Sequence, residues 1–416
     1  MEMKRVVVTG LGCLTPIGNN IEEFWKGLLN GVSGCTPITR FDTTNFKTKF
    51  ACQIQNFNAE DFIDKKEIRK MDLNTVYAMV AASEAVTDSG ITPENSDLHR
   101  CGVIFTSGIG GLNSLEHELK DYFTGSGVPR FNPFYITKMI TNMPAGMIAI
   151  KFGFMGANFA TVSACASSNH AIISAFNCIR TGQADVIVAG GTEAAITPSS
   201  IGGFNSMRAL STNNENYQTA SRPYDVNRDG FVIGEGSGAL VLEEYEHAKK
   251  RGAKIYAELC GGGMSCDAYH ISATHPEGVG AELCVENALK DASLDASVIN
   301  YVNTHGTSTP VGDMPELAAL KNALGEHYCK TYISSTKSMT GHLLGAASAI
   351  EAIAAVLAVK NNVIPATINV TELDPNIPEG SNIVVGKPLE TEVNYALSNS
   401  FGFGGHNASV IFGKVK

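Results

Sequence analysis

The sequence is poor in the features that mark secreted, membrane-spanning and nucleic-acid-binding chains. Its ten cysteines include no C-x-x-C pair and no short secreted-type spacing, so they read as reduced thiols and not as a disulfide framework. The start, Met1-Glu2-Met3-Lys4-Arg5, leads into only three apolar residues before Thr9-Gly10, too few for a signal h-region. The longest apolar run, Leu343 to Val359, is interrupted by Glu351 and reads as a core helix, which gives no membrane insertion. A net charge of −10 argues against a general nucleic-acid binder, so no nucleic acid is expected as a partner. Proline is sparse, at 15 residues in 416, and no segment is low-complexity. Together these absences point to a cytoplasmic location and a compact enzyme.

What is present fits that expectation. A hydrophobic content of 44% with 42 glycines suits a tightly packed α/β protein. The chain also repeats itself. Strand patterns at Arg5–Thr9, Gly102–Thr106, Phe159–Ser163 and Asp185–Ala189 are followed by others at Ile255–Leu259, Ile299–Asn303, Tyr332–Ser335 and Ala396–Ser400. In each half the third strand leads into a turn and a helix of small residues. Near-continuous apolar strands alternating with helices predict mixed or parallel sheets covered on both faces. Two such copies packed together give a layered α/β/α/β/α arrangement, with pseudo-repeats 1–254 and 255–416 inside one unit of residues 1–416.

Four segments carry the chemistry. In Thr161-Val162-Ser163-Ala164-Cys165-Ala166-Ser167, an extended stretch ends in small residues just before a helical pattern. Such a turn lifts Cys165 to a helix N-terminus, where free N–H groups and the macrodipole are expected to lower its pKa. Tyr301-Val302-Asn303-Thr304-His305-Gly306 presents His305, and Ser335-Thr336-Lys337-Ser338-Met339-Thr340-Gly341-His342 presents Lys337 and His342. Ser400-Phe401-Gly402-Phe403-Gly404-Gly405-His406 is a glycine loop between two strands. A lone His is usually a core or surface residue. Two His and a Lys at strand ends beside small residues are harder to dismiss.

With these segments in order, and with Arg222-Pro223-Tyr224-Asp225 and Arg228-Asp229-Gly230-Phe231-Val232 between them, the chain resembles the elongating β-ketoacyl-(acyl-carrier-protein) synthases, essentially from Arg5 to Phe412. The resemblance implies a thiolase-like fold, which the layered arrangement matches, and a decarboxylative condensation in fatty-acid elongation. It makes Cys165 the acyl-accepting nucleophile, His305 and His342 the catalytic histidines, and Lys337 a support for His342. It also implies that Glu316 contacts Lys337. Phe403 would gate malonyl entry, and Ile109 would line the acyl pocket. The oxyanion donors would be the N–H groups of Cys165 and Phe403.

No cofactor is implied, because the phosphopantetheine arm arrives on the carrier protein. The implied partners are an acyl carrier protein and a second copy of the chain in a homodimer, with Phe134 and Tyr135 in a candidate interface loop. His406 stands where relatives commonly carry Thr, and its role is open. Lys66, Arg69 and Lys70 recur at helical spacing and form a candidate basic patch for carrier docking. Arg130 and Arg208 match carrier-docking positions in the family.

Other readings weigh less. Gly10-x-Gly12 hints at a dinucleotide loop, but Thr15 occupies the third glycine position. A zinc site from Cys165, His305 and His342 lacks the short paired spacings of structural sites, and Lys337 would repel the cation. A Cys–His hydrolase needs one base and one orienting group, whereas two His and a Lys suit an enolate. A thiolase would need a second Cys near the C-terminus, and none follows Cys329. A chain-length partner subunit would lack Cys165. A synthase of a polyketide or aryl-polyene pathway is the remaining alternative.

Overall fold

The computed structural model describes residues 3–416. Its large strands, numbered in chain order, are β1 (Val6–Leu14), β2 (Cys101–Ser107), β3 (Asn158–Phe159), β4 (Val186–Glu193), β5 (Gly236–Glu244), β6 (Ala257–Cys266), β7 (Tyr301–Asn303), β8 (Tyr332–Ser334), β9 (Asn382–Ile383), β10 (Tyr395–Gly402) and β11 (His406–Gly413). They lie in the order β9-β8-β7-β10-β11-β6-β1-β5-β4-β2-β3. Outward from β1, the pairings with β5, β4, β2 and β3 run antiparallel, antiparallel, parallel, parallel. Outward from β6, those with β11, β10, β7 and β8 follow the same sequence. The two halves meet where Val6 faces Leu259 across an antiparallel β1–β6 pair.

Four helices build the layers: α1 (Leu73–Ser89), α2 (Ser167–Arg180), α3 (Val279–Ala292) and α4 (Ala347–Asn361). Alternate residues of a strand face opposite sides. Val186 and Val188 of β4 accordingly pack toward α1, while Ile187 and Ala189 join the core around α2 and α4. That central core draws residues from both halves, which makes α2 and α4 the middle layer of the thiolase-like α/β/α/β/α stack. Leu344–Asn361 has the length and composition of a membrane span, but it lies in this core with Glu351 on it.

The glycines of β1 have a packing role. A Cβ on Gly10 would fall 2.2 Å from Ala85 O, and one on Gly12 would fall 2.0 Å from Ala81 O, so α1 lies directly on the strand. In the second half Gly261 and Gly263 of β6 admit α3 in the same way. Gly10-x-Gly12 is therefore a helix seat. Strand β3 is shorter than the expected Phe159–Ser163. The sequence reading placed no strand at β5, whose opening Gly-Ser-Gly resembles a loop. Those small residues mark close approach, since a Cβ on Gly238 would lie 2.9 Å from Ile350 N of α4.

Candidate active site

Residues 160–163 leave the sheet edge, and Ala164 adopts a φ of 51°. A 3₁₀ turn, Ala164–Ala166, then runs straight into α2. A left-handed non-glycine residue is held only where its surroundings over-determine it. Here the Ser167 hydroxyl donates to Ala164 O at 2.6 Å and accepts from Ser163 N–H at 2.9 Å. The second half repeats the device, with Leu344 at φ 50°, a turn Leu344–Ala346 and then α4. Cys165 and Gly345 occupy matching places, the middle of each turn.

The imidazole of His342 puts Nε2 2.9 Å from the Cys165 sulfur. The His305 ring stands edge-on to it, with centroids 5.3 Å apart and planes at 87°. Burial, and then the charge of Lys337, push both histidines well below their ordinary value, so both are neutral imidazoles at neutral pH. Burial also raises the Cys165 thiol to about 12, opposed by Lys337 and by a hydrogen bond from the Phe403 N–H. That reverses the lowered pKa expected from the helix N-terminus. The resting group is a thiol, with the neutral His342 imidazole within hydrogen-bond reach of it.

Lys337 is one of the most deeply buried cations of the chain, and its ammonium pairs with Glu351 on α4. This corrects the expected Lys337–Glu316 contact. Glu316 instead accepts from the His305 and Gly306 N–H groups, both at 2.7 Å, and so fixes the turn that presents His305. Glu351 had left a signal in the sequence, because a lone carboxylate in an apolar helix must find a partner. The fold brings ligand-type atoms of Cys165, His305 and His342 within 4.8 Å of one another, which their spacing in the chain did not suggest. The Lys337 charge acts on all three.

These groups sit at the end of a cavity of about 500 Å³. Ile109 and Phe403 line it, and so do Thr307, Thr309 and Arg208. Gly402 is required by closeness, because a Cβ there would crowd Cys165 N at 3.0 Å. Beyond Phe403, Gly404 and Gly405 take φ of 89° and 75°, values that favour glycine. The Gly404 N–H donates to Ile271 O at 2.8 Å, and Gly405 O accepts from Asp267 N–H at 2.9 Å. The exposed His406 rests against Gly404 and pairs in register with Cys266.

Glu193, at the end of β4, escaped the sequence reading. Its fully buried carboxylate accepts from Ser107 Oγ at 2.8 Å, Gly108 N at 2.9 Å, Ile109 N at 3.2 Å and Gly345 N at 3.0 Å. It thus ties the Ser107–Ile109 loop to the turn that follows His342. Burial without a cation raises it to about 7. Only the fold could reveal it, since its donors come from two segments far apart in the chain, Ser107–Ile109 and Gly345.

The candidate docking residues divide. Lys66, Arg69, Arg130 and Arg208 are exposed. The helix bearing the first patch spans only Lys65–Ile68, with Arg69 at its C-cap, and Lys70 pairs with Glu67 at 2.6 Å. The expected three-residue helical face therefore reduces to Lys66 and Arg69. Phe134 is exposed, and Tyr135 stacks on Phe131 with centroids 5.2 Å apart.

Comparison with known proteins places this geometry. The β-ketoacyl synthase N-terminal domain matches residues 3–248 and the C-terminal domain matches residues 256–371. The chain belongs to the β-ketoacyl synthase family. It is 47% identical, over its full length and 99% of the relative, to a 3-oxoacyl-[acyl-carrier-protein] synthase 2 of Synechocystis sp.. It is 46% identical, over the whole of both chains, to the protein of that description from Vibrio harveyi. A β-ketoacyl synthase from Burkholderia phymatum superposes with a TM-score of 0.92 at 35% identity, with both chains fully covered. A ketosynthase in complex with a type II polyketide acyl-carrier protein superposes at 0.91 and 34%, again over both chains.

Proposed function

We propose that this chain is an elongating 3-oxoacyl-[acyl-carrier-protein] synthase, an acyltransferase that condenses an enzyme-bound acyl chain with malonyl-carrier. One observation carries the reading: Cys165 and two neutral imidazoles converge on the wall of one cavity. In the first half-reaction the Cys165 sulfur attacks an acyl thioester while His342 Nε2 takes its proton and returns it to the departing pantetheine thiolate. The Cys165 and Phe403 N–H groups receive the oxyanion, and each such donor is worth about 3 kcal/mol in comparable sites. In the second half-reaction malonyl loses carbon dioxide. Its thioester oxygen gathers enolate charge toward the N–H donors of His305 and His342, and the carbanion attacks the acyl-Cys165 carbonyl; the carbon–sulfur bond breaks, 3-oxoacyl-carrier leaves, and the Cys165 thiolate takes up a proton from solvent. Lys337, paired with Glu351, holds the local field that keeps both imidazoles neutral.

The relatives sharing 46–47% of the sequence are 3-oxoacyl synthases of type 2, whereas the polyketide ketosynthase shares 34%, which favours fatty-acid elongation over a polyketide or aryl-polyene pathway. The reading needs no resident cofactor. The phosphopantetheine arm enters past Thr307 and Thr309 on an acyl carrier protein, the partner that the superposed ketosynthase complex contains. A cytoplasmic location suits ten free thiols. A homodimer suits the edge of the sheet, where β3 presents an exposed Phe159 beside exposed Met155 and Val162, an edge that a second copy would cover. Sedimentation should accordingly give twice the chain mass.

The deciding experiment is intact-protein mass spectrometry after incubation with acyl-carriers of several chain lengths. One acyl group on Cys165, followed by 3-oxoacyl-carrier on addition of malonyl-carrier, is the expected result. Acylation elsewhere, or hydrolysis in place of condensation, would reject the reading.

A further inference from the structure

Cys35 and Cys52 face each other across the short hairpin strands Cys35–Pro37 and Phe50–Cys52. In an antiparallel ladder, hydrogen-bonded and non-hydrogen-bonded pairs alternate. The Ile38 N–H donates to Lys49 O at 2.9 Å one step past the Pro37–Phe50 pair, which makes Thr36–Ala51 a hydrogen-bonded pair and Cys35–Cys52 a non-hydrogen-bonded one. The Cys52 N–H accordingly points away, to Ile233 O at 2.8 Å. Non-hydrogen-bonded pairs hold their Cα atoms about 4.5 Å apart. That lies inside the span of about 4.4–6.8 Å that a disulfide bridges without backbone movement. Both thiols lie on the same face of the hairpin, in a small cluster with Phe50, Ala220 and Val232.

The pair sits directly beneath the His342 turn. The Cys52 sulfur packs on Gly341, where a Cβ would come within 2.8 Å of it. The segment 232–235 is held on one side by Cys52, through Ile233 O and Glu235 N. On the other side it is held by His342, whose N–H donates to Val232 O at 2.7 Å and whose carbonyl accepts from Gly234 N–H at 2.8 Å.

We propose that Cys35 and Cys52 form a reversible intramolecular disulfide, a modification site distinct from Cys165 that acts on the His342 turn. The co-reactant is a low-molecular-weight disulfide. Cys35, the less buried of the two, loses its proton and attacks one sulfur, releasing one small thiol. Cys52 then loses its proton and displaces the second small thiol, so two protein thiols are oxidised as one disulfide is reduced. Access comes through opening of the hairpin, whose two strands have three residues each. Drawing the sulfurs to about 2.05 Å pulls Cys52 off Gly341 and shifts the backbone that carries His342.

The test is to treat the folded, reduced full chain with glutathione disulfide, quench with acid, alkylate and map the peptides. The expected product is one linked Cys35–Cys52 peptide pair, two hydrogens lighter than the reduced pair and undone by dithiothreitol. In a Cys165→Ala background malonyl decarboxylation should slow severalfold on oxidation and recover on reduction, and Cys35→Ser should remove that response. Recovery of both residues as free thiols, or Cys35 halted as a mixed disulfide, would overturn the site. A linked pair with unchanged decarboxylation would overturn its action on His342. Absence of decarboxylation before oxidation would count against the proposed function and not against the disulfide, which the mapping reads on its own.

Discussion

His342 Nε2 lies 2.9 Å from the Cys165 sulfur, and the thiol it faces is held protonated by burial. In the proposed reaction the imidazole has two tasks: it removes the thiol proton during acylation, and it joins His305 in stabilising the enolate once Cys165 carries the chain. Removing either partner should separate those tasks.

Cys165→Ala should abolish acyl transfer and condensation, because it removes the sulfur that the His342 imidazole faces. Malonyl-carrier decarboxylation should persist, since His305 and His342 remain. Accumulation of 3-oxoacyl product by this variant would refute the nucleophile assignment.

His305→Ala and His342→Ala should each lower decarboxylation by roughly 10²-fold or more, the usual cost of one donor to a developing oxyanion. Only His342→Ala should also slow acylation of Cys165, because His342 alone touches the sulfur. Equal acylation rates in the two variants would break this division of labour.

Glu351→Ala should destabilise the fold by about 3–5 kcal/mol, since it strands a buried Lys337 without its counter-charge. Denaturant melts would read that loss. Glu316→Ala should act differently, loosening the His305 turn and slowing decarboxylation more than it slows acyl transfer.

The pH dependence of stability has a definite sign. Burial raises Glu193 and Glu316 to about 7 and Asp313 to about 6, so between about 4.5 and 7 the folded state binds more protons than the unfolded one. That contribution is lost as pH rises. The lowered histidines, His170, His305 and His342, act oppositely, but their effect is complete once the unfolded residues are neutral above about 6.5. The melting temperature should therefore fall between about pH 6.5 and 8. A rise over that interval would contradict the burial of these carboxylates.

Much of the site was legible because its residues end strands and begin turns, where sequence punctuation is strongest: Cys165 before its helix, His305 before Gly306, His342 after Gly341. The paired halves were legible for the same reason. What the sequence hid was pairing across the fold. Lys337 chooses Glu351 over Glu316, and Glu193 gathers donors from two distant segments, because those choices depend on how α4 and β4 pack. The pKa of Cys165 was misjudged because the helix N-terminus is evident in sequence while the depth of burial is not.

The last prediction concerns the carrier. Acyl carrier proteins are acidic, and a net charge of −10 on this chain opposes their approach, so docking depends on local cations. Lys66 and Arg69 are exposed and make no ion pair within 4 Å among the described residues, whereas Lys70 is committed to Glu67. Arg208 stands exposed on the wall of the cavity with a φ of 56°. Reversing Lys66 and Arg69 to Glu should raise the apparent KM for acyl-carrier and flatten its salt dependence, because rim charges act mainly on association. Turnover of a small acyl-pantetheine surrogate should be unchanged. Arg208→Glu should weaken both substrates, since Arg208 also lines the cavity that holds Cys165. Equal loss with both substrates in the Lys66 and Arg69 variant would mean that the fold had been damaged, and no loss with either would place the docking surface elsewhere.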